Sequence, residues 1–282
     1  MSVIPLFPRV PHLGTLPGFR RTLGFTVAYV SLLVLLPLAA LVLRASGIGW
    51  AGLAHVVADH RVLAAFRVSF GIAAAAAVFD AALGLLVAWV LVRYRFPGRR
   101  LFDALVDLPI ALPTAVAGIT LTELYAPNGW LGGPLAALGI KVAFGPLGIF
   151  VALAFIGLPF VVRSVEPVLA DLPKDIEEAA ETLGASPWQI FRRVILPPLA
   201  PALMTGLTLA FGRGIGEYGS VIFIAGNMPG LSEIVPLLIV IKLEQYDYMG
   251  AAVLGTLMLA ASFLIMLAIN AIQNWSHARL GH

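Results

Sequence analysis

The sequence predicts an all-α protein that crosses a membrane about six times. Apolar residues make up 60% of the 282 positions and charged residues only 12%, and the mean hydropathy of +0.96 is above that of soluble domains. The apolar residues gather in long runs, and a helix needs about 20 such residues to cross the hydrocarbon core of a bilayer. These observations indicate an integral membrane protein and argue against a nucleic-acid-binding domain.

Six runs are long enough to span, and a seventh is shorter. The third run contains Pro109 and Pro113 near its start, so we expect a broken helix there. The short run within 231–243 cannot span and predicts a re-entrant or interfacial helix. The predicted spans are 22–43, 68–92, 108–126, 142–162, 199–225 and 249–272. The membrane domain is therefore expected over 22–272, between an N-terminal segment 1–21 and a tail 273–282.

The distribution of basic residues predicts the orientation. With the N-terminus inside, the inner segments hold twelve of the 18 Lys and Arg and the outer segments five, with Arg213 inside a span. The positive-inside rule then places both termini and the 163–198 loop in the cytoplasm. The chain has no cysteine, its histidines suggest no metal site, and it lacks the GxxxxGK[ST] sequence of phosphate-binding loops. We therefore expect no cofactor and no ATP hydrolysis in this chain.

The 163–198 loop contains a charged helix–turn–helix pattern. Residues 166–181 hold six of the fifteen acids, and Gly184 can adopt the positive φ that ends a helix. Ser186 and Pro187 then predict the N-cap and first turn of a second short helix that carries Trp188. From the residues alone, a docking surface and a merely solvated loop are equally open interpretations.

Three sequence stretches resemble a known family. Glu178-Ala-Ala, Gly184 and Val194-x-Leu-Pro197 are spaced as in the EAA signature of ABC importer permeases, with Val194 where that pattern usually has Ile. The stretches 93–118 and 216–227 are similar to the T-type permease subunit of bacterial sulfate/thiosulfate importers. A membrane subunit of that family has the type I ABC importer fold and performs no covalent chemistry.

The resemblance also implies partners and site residues. The partners are a dimer of ABC ATPase subunits that bind ATP, a second related permease subunit that forms a heterodimer with this one, and a periplasmic sulfate-binding protein in a bacterium with an inner membrane. The residues implied to couple to the ATPase are Glu177, Glu178, Ala179, Ala180, Gly184, Trp188, Leu196 and Pro197.

Ionisable residues inside spans are expensive and are candidates for the translocation path. These are Asp80, Arg213 and Glu217, of which the last two lie on one helical face at i and i+4. Arg213 and Glu217 either neutralise each other, or Arg213 faces a central path and attracts an anion while Glu217 holds the guanidinium. A third possibility is an Asp80–Arg213 pair, although Asp80 departs from the uncharged polar residue typical of that position in the family. Gly212 and Gly216 predict a close helix–helix contact.

Two other functions fit parts of the pattern. A molybdate or tungstate importer permease would share the cytoplasmic helix–turn–helix and much of the fifth span. A secondary transporter or a membrane scaffold could also have six spans with charges near the midplane, but neither needs a charged helix–turn–helix with this spacing.

Overall fold

The computed structural model of the chain describes residues 19–280, and within that range every regular element is helical. Most of the predicted N-terminal segment 1–21 and the end of the predicted tail 273–282 lie outside the described residues. The helices, in chain order, are α1 Phe19–Val30, α2 Leu36–Ser46, α3 Gly49–Ala58, α4 His60–Arg93, α5 Arg99–Ala111, α6 Thr114–Tyr125, α7 Gly132–Ala137, α8 Pro146–Asp171, α9 Lys174–Thr182, α10 Pro187–Ile190, α11 Leu196–Ile215, α12 Val221–Ile224, α13 Val235–Glu244 and α14 Tyr248–Leu280.

Five continuous helical stretches are long and apolar enough to cross a membrane, and a bent pair raises the number to six. The five stretches are 21–46, 60–93, 146–171, 187–215 and 248–271. The sixth is α5 with α6, bent by 112° at Leu112 and Pro113. Proline disfavours the α-helical conformation of the residue before it, and Leu112, which precedes Pro113, is accordingly extended (φ −79°, ψ 138°). The predicted break at Pro109 and Pro113 is confirmed at Pro113, and the pair counts as one span only if α5 and α6 cross the membrane together.

The fifth span differs from its prediction at both ends. It was expected over 199–225 after a separate short helix, whereas α10 continues through a π-helical turn, Phe191–Ile195, into α11. Pro197 and Pro198 have no N–H to donate in the α pattern, and a widened turn accommodates that loss without ending the helix. The helix then ends at Ile215, because Gly216 caps it and the chain turns.

The core lies where α4, α8 and α11 pack together. Glycine permits the closest contact: a Cβ on Gly206 would lie 2.7 Å from the Val161 Cα. Small residues of this kind let helix backbones approach in a membrane. The predicted Gly212–Gly216 packing face was wrong, because Gly216 is exposed with no atom near its Cβ position, and Gly212 meets only the end of the Met266 side chain.

Two short helices lie outside this core. The first, α3, occupies a region that the sequence pattern left as a loop. The other, α13, has ten residues and is too short to span, as expected, and it packs against α4 and α14 with Val235, Leu237 and Leu238 buried. These two helices join the ends of the long ones.

Candidate coupling and translocation sites

The predicted helix–turn–helix, here called the knob (172–195), forms as the sequence predicted. Gly184 has φ +79°, and the N–H of Ala185 donates to the Ala180 carbonyl at 3.1 Å, which closes the end of α9. Ser186 caps α10 in a capping box: its hydroxyl accepts from the Gln189 N–H, and the Gln189 side chain accepts from the Ser186 N–H at 2.8 Å. Local sequence therefore determines the reversal between the two helices.

The outer surface of the knob combines acids with exposed apolar side chains. Leu183 is 87% exposed and Trp188 is 65% exposed, while Glu178 and Ala179 are exposed beside them. Large apolar side chains in such positions indicate a surface that another protein covers. By contrast, Leu196 and Pro197 lie at the start of α11, outside the knob's tip.

Glu177 belongs to the inner side of the knob. Its Oε1 lies 2.5 Å from Nη2 of Arg93, the last residue of α4. The same nitrogen of Arg93 donates to the Leu172 carbonyl at 3.3 Å. The guanidinium therefore holds both the start of the knob and its first helix against the end of a core helix.

Aromatic rings make a second attachment at the same end of α4. Trp188 stacks on Phe191 at 5.6 Å between ring centroids, and Phe191 meets Trp89 edge-on at 6.3 Å. The Arg93 guanidinium carbon lies 5.8 Å from the centre of the Trp89 ring. The sequence did not predict Trp89 as part of this site, nor that Phe191 and Arg93 would meet it. The only signal was a Trp and an Arg four residues apart at the end of a span, which is also the ordinary pattern of a membrane interface.

The second candidate site is built around the buried carboxylate of Glu217. One oxygen lies 2.5 Å from Nη1 of Arg213, and the other accepts from the N–H and the hydroxyl of Ser220 at 2.9 and 3.0 Å. The Glu217 side chain is 2% exposed and that of Arg213 is 35% exposed. The predicted i,i+4 contact is confirmed, although Glu217 lies just beyond the helix end.

The broken span packs directly on this turn. A Cβ on Gly118 would lie 2.7 Å from the Ser220 Cα, and Gly219 faces the Thr114 side chain. The first N–H groups of a helix have no carbonyl partner within it, and Pro113 supplies no side-chain cap for those of α6. The turn 216–220 therefore adjoins unpaired backbone donors as well as a cation.

Asp80 lies apart from this site. It is 1% exposed, and neither carboxylate oxygen has a hydrogen-bond partner among the described residues. Its side chain faces Gly157 on α8, near Ala210 on α11. The possible pairing of Asp80 with Arg213 was wrong, since Arg213 bonds Glu217.

Solved structures share this architecture. A crystal structure of a bacterial alginate ABC transporter matches with a TM-score of 0.75 and 16% identity, covering 91% of this chain and 94% of that chain. The MetNI methionine ABC transporter matches with a TM-score of 0.58 and 20% identity over 76% of this chain and 95% of that chain. The fold is that of the membrane domains of ABC transporters.

Sequence comparison identifies the family. The chain belongs to the binding-protein-dependent transport system inner membrane components, whose family pattern matches residues 81–282. It is 50% identical over 259 residues to the sulfate transport system permease protein CysT of Escherichia coli K12, covering 92% of this chain and 94% of that protein. The protein of the same name from Synechococcus elongatus is 47% identical over 252 residues, with 89% and 91% covered.

Proposed function

We propose that this chain is the T-type permease subunit of an ATP-driven importer of sulfate and thiosulfate. The observation that carries the proposal is its 50% identity, along nearly the full length of both chains, to permeases named for sulfate transport. The proposed assembly places this multi-pass subunit in the inner membrane with both termini cytoplasmic. Its proposed partners are a related permease subunit, an ATPase dimer that binds ATP, and a periplasmic sulfate-binding protein.

In this proposal the knob receives the motion of the ATPase. Glu178, Ala179 and Ala180, with Gly184 and Trp188, form the contact, and the exposure of Glu178 and Trp188 supports that role. Glu177, through Arg93, holds the knob to α4. Since α4 packs along α8 and α11, displacement of the knob shifts the three core helices relative to the rest of the chain.

The translocation path is proposed to pass Arg213. The partly exposed guanidinium would favour an anion, and the buried Glu217 carboxylate would orient it while the path is empty. A doubly charged tetrahedral anion needs several donors when it leaves water, and the unpaired N–H groups at the start of α6 adjoin the same turn. Asp80, the third residue predicted for the path, is buried against Gly157 in this structure and is not needed for the arrangement proposed at Arg213.

The test is ATP-dependent uptake of labelled sulfate into vesicles that contain this subunit with its partners. Uptake should be blocked by excess unlabelled thiosulfate and unaffected by molybdate. Vesicles that lack the binding protein are the control and should show little uptake. Transport of molybdate in place of sulfate would keep the fold and overturn the proposed substrate.

A further inference from the structure

The helix α5 has two chemically different faces. Leu101, Leu105 and Leu108 recur at helical spacing and are all exposed, whereas Asp103 and Asp107 lie on the opposite side of the helix. The 112° bend at Leu112 and Pro113 sets α5 nearly perpendicular to α6. The helix α5 therefore crosses the axis of α6 and does not continue it.

Both acids of α5 pair with one residue of α8. Arg163 donates from Nε and Nη2 to the two Asp107 carboxylate oxygens at 2.8 and 2.7 Å, and its Nη1 lies 2.7 Å from Asp103 Oδ1. Glu166 pairs with the same guanidinium at 2.5 Å. These contacts fix the rotation of α5 about its own axis, so that the leucine face points away from the core.

The start of α5 has a cluster of cations without acidic partners. Arg95, Arg99 and Arg100 are exposed and form no ion pair with any residue that the structure describes, and the nearby acids are already held by Arg163. Gly98, with φ +83°, turns the chain so that Arg99 and Arg100 border a cleft of about 540 Å³. Phe96 and Asp103 also line the cleft, and the Asp103 carboxylate is paired with Arg163, so the cleft has room for a negatively charged headgroup at Arg99 and Arg100.

Position in the molecule decides which partner fits. The cluster follows the end of α4 at Arg93 and lies on the same side as the knob, at the ends of the long helices that the proposed function, on which this inference rests, places in the cytoplasm. Basic residues beside an exposed apolar helix face are typical of helices that lie in the membrane interface and bind anionic lipid. We propose that α5 lies in the cytoplasmic leaflet, with its leucine face among the acyl chains and Arg95, Arg99 and Arg100 on the headgroups of anionic phospholipids.

The first experiment measures where the leucine face lies. Because the chain has no cysteine, Leu105→Cys gives a single attachment point for a spin label when the importer is assembled in nanodiscs with partner subunits whose cysteines have been replaced. The label should be accessible to oxygen and protected from a water-soluble nickel reagent, as at Phe263→Cys on the exposed surface of α14. Lys141→Cys, in an exposed loop, is the aqueous reference. Accessibility to the nickel reagent, or protection from both reagents by another subunit, would overturn the proposal.

The second experiment tests the headgroup. In native mass spectrometry, the fraction of Arg99→Gln/Arg100→Gln protein that carries bound phosphatidylglycerol should be lower than that of the unchanged protein by about tenfold or more. The reason is that each basic residue adds to the attraction for an anionic lipid. Phosphatidylcholine retention should not change. The control Arg67→Gln/Lys141→Gln removes the same charge from exposed positions on the opposite side of the molecule. Equal loss in both double variants, or none in the first, would refute the lipid site, and binding of free phosphate alone would identify the source of the anion as solution.

Discussion

Arg213 is held by a single buried carboxylate while part of its guanidinium stays exposed. If that cation attracts the transported anion, Arg213→Gln should lower the rate of sulfate uptake at least tenfold, because one donor and one charge are lost. Arg213→Lys should keep part of the activity, since the charge remains. Uptake is compared at equal amounts of assembled complex. Normal uptake by Arg213→Gln would remove Arg213 from the path.

Asp80 is the opposite case, a buried carboxylate without a hydrogen-bond partner among the described residues. Burying such a group costs about 1–3 kcal/mol in proteins, so its removal should stabilise the fold unless the small cavity offsets the gain. We expect Asp80→Ala to raise the thermal midpoint of the purified complex by a few degrees and to leave uptake unchanged. A loss of uptake with unchanged stability would instead give Asp80 a functional role.

Gly184 sets the angle between the two helices of the knob. Its φ of +79° suits glycine, and a β-branched residue there is strained by about 1–2 kcal/mol or more. Gly184→Val should therefore uncouple ATP hydrolysis from uptake or disassemble the complex. Gly71→Val is the matched control, because Gly71 lies within α4 at an ordinary φ with open space at its Cβ position. Normal ATP-driven uptake in Gly184→Val would contradict the idea.

At the scale of elements, Arg93 joins the knob to α4 through Glu177, the Leu172 carbonyl and the Trp89 ring. We expect Arg93→Gln to raise the number of ATP molecules hydrolysed per sulfate several-fold, since the knob would still dock but would no longer pull on α4. The charge reversal Arg93→Glu/Glu177→Arg should recover part of the coupling. If Arg93→Gln leaves the number of ATP molecules hydrolysed per sulfate unchanged, the aromatic contacts alone are sufficient to couple the knob to α4.

The sequence predicted which helices and turns form better than it predicted where the helices end. Gly184, Ser186 and Pro187 act through local backbone chemistry, so the turn between α9 and α10 was correct in detail. The end of the fifth span was not, because apolar residues resume at Val221 after a five-residue turn that holds one charged residue, Glu217. Hydropathy averaged over a run does not distinguish so short a turn from a continuing helix.

For the whole molecule, the sequence predicted the number of spans and the break in the third, since both depend on run length and proline. It could not predict that Glu177 pairs with Arg93 of α4, because that contact joins residues 84 positions apart. The same holds for the partners of Arg163 on α5. Long-range pairing decides which charged residues of this chain are structural and which remain free for other molecules.

The continuous helix through the π-helical turn has a mechanical consequence. Residues 187–215 form one rod about 43 Å long, with Trp188 at one end and Arg213 at the other. A continuous helix transmits a twist in both directions, so it is a second connection between the two proposed binding surfaces, beside the contact of Arg93 with Glu177. By reciprocity, if docked ATPase changes the affinity of the Arg213 end for an anion, the anion changes the affinity of the knob for the ATPase by the same factor. The π-helical residues 191–195 would then be the flexible part of this helix, and their stiffness would set how much of a rotation at Trp188 reaches Arg213.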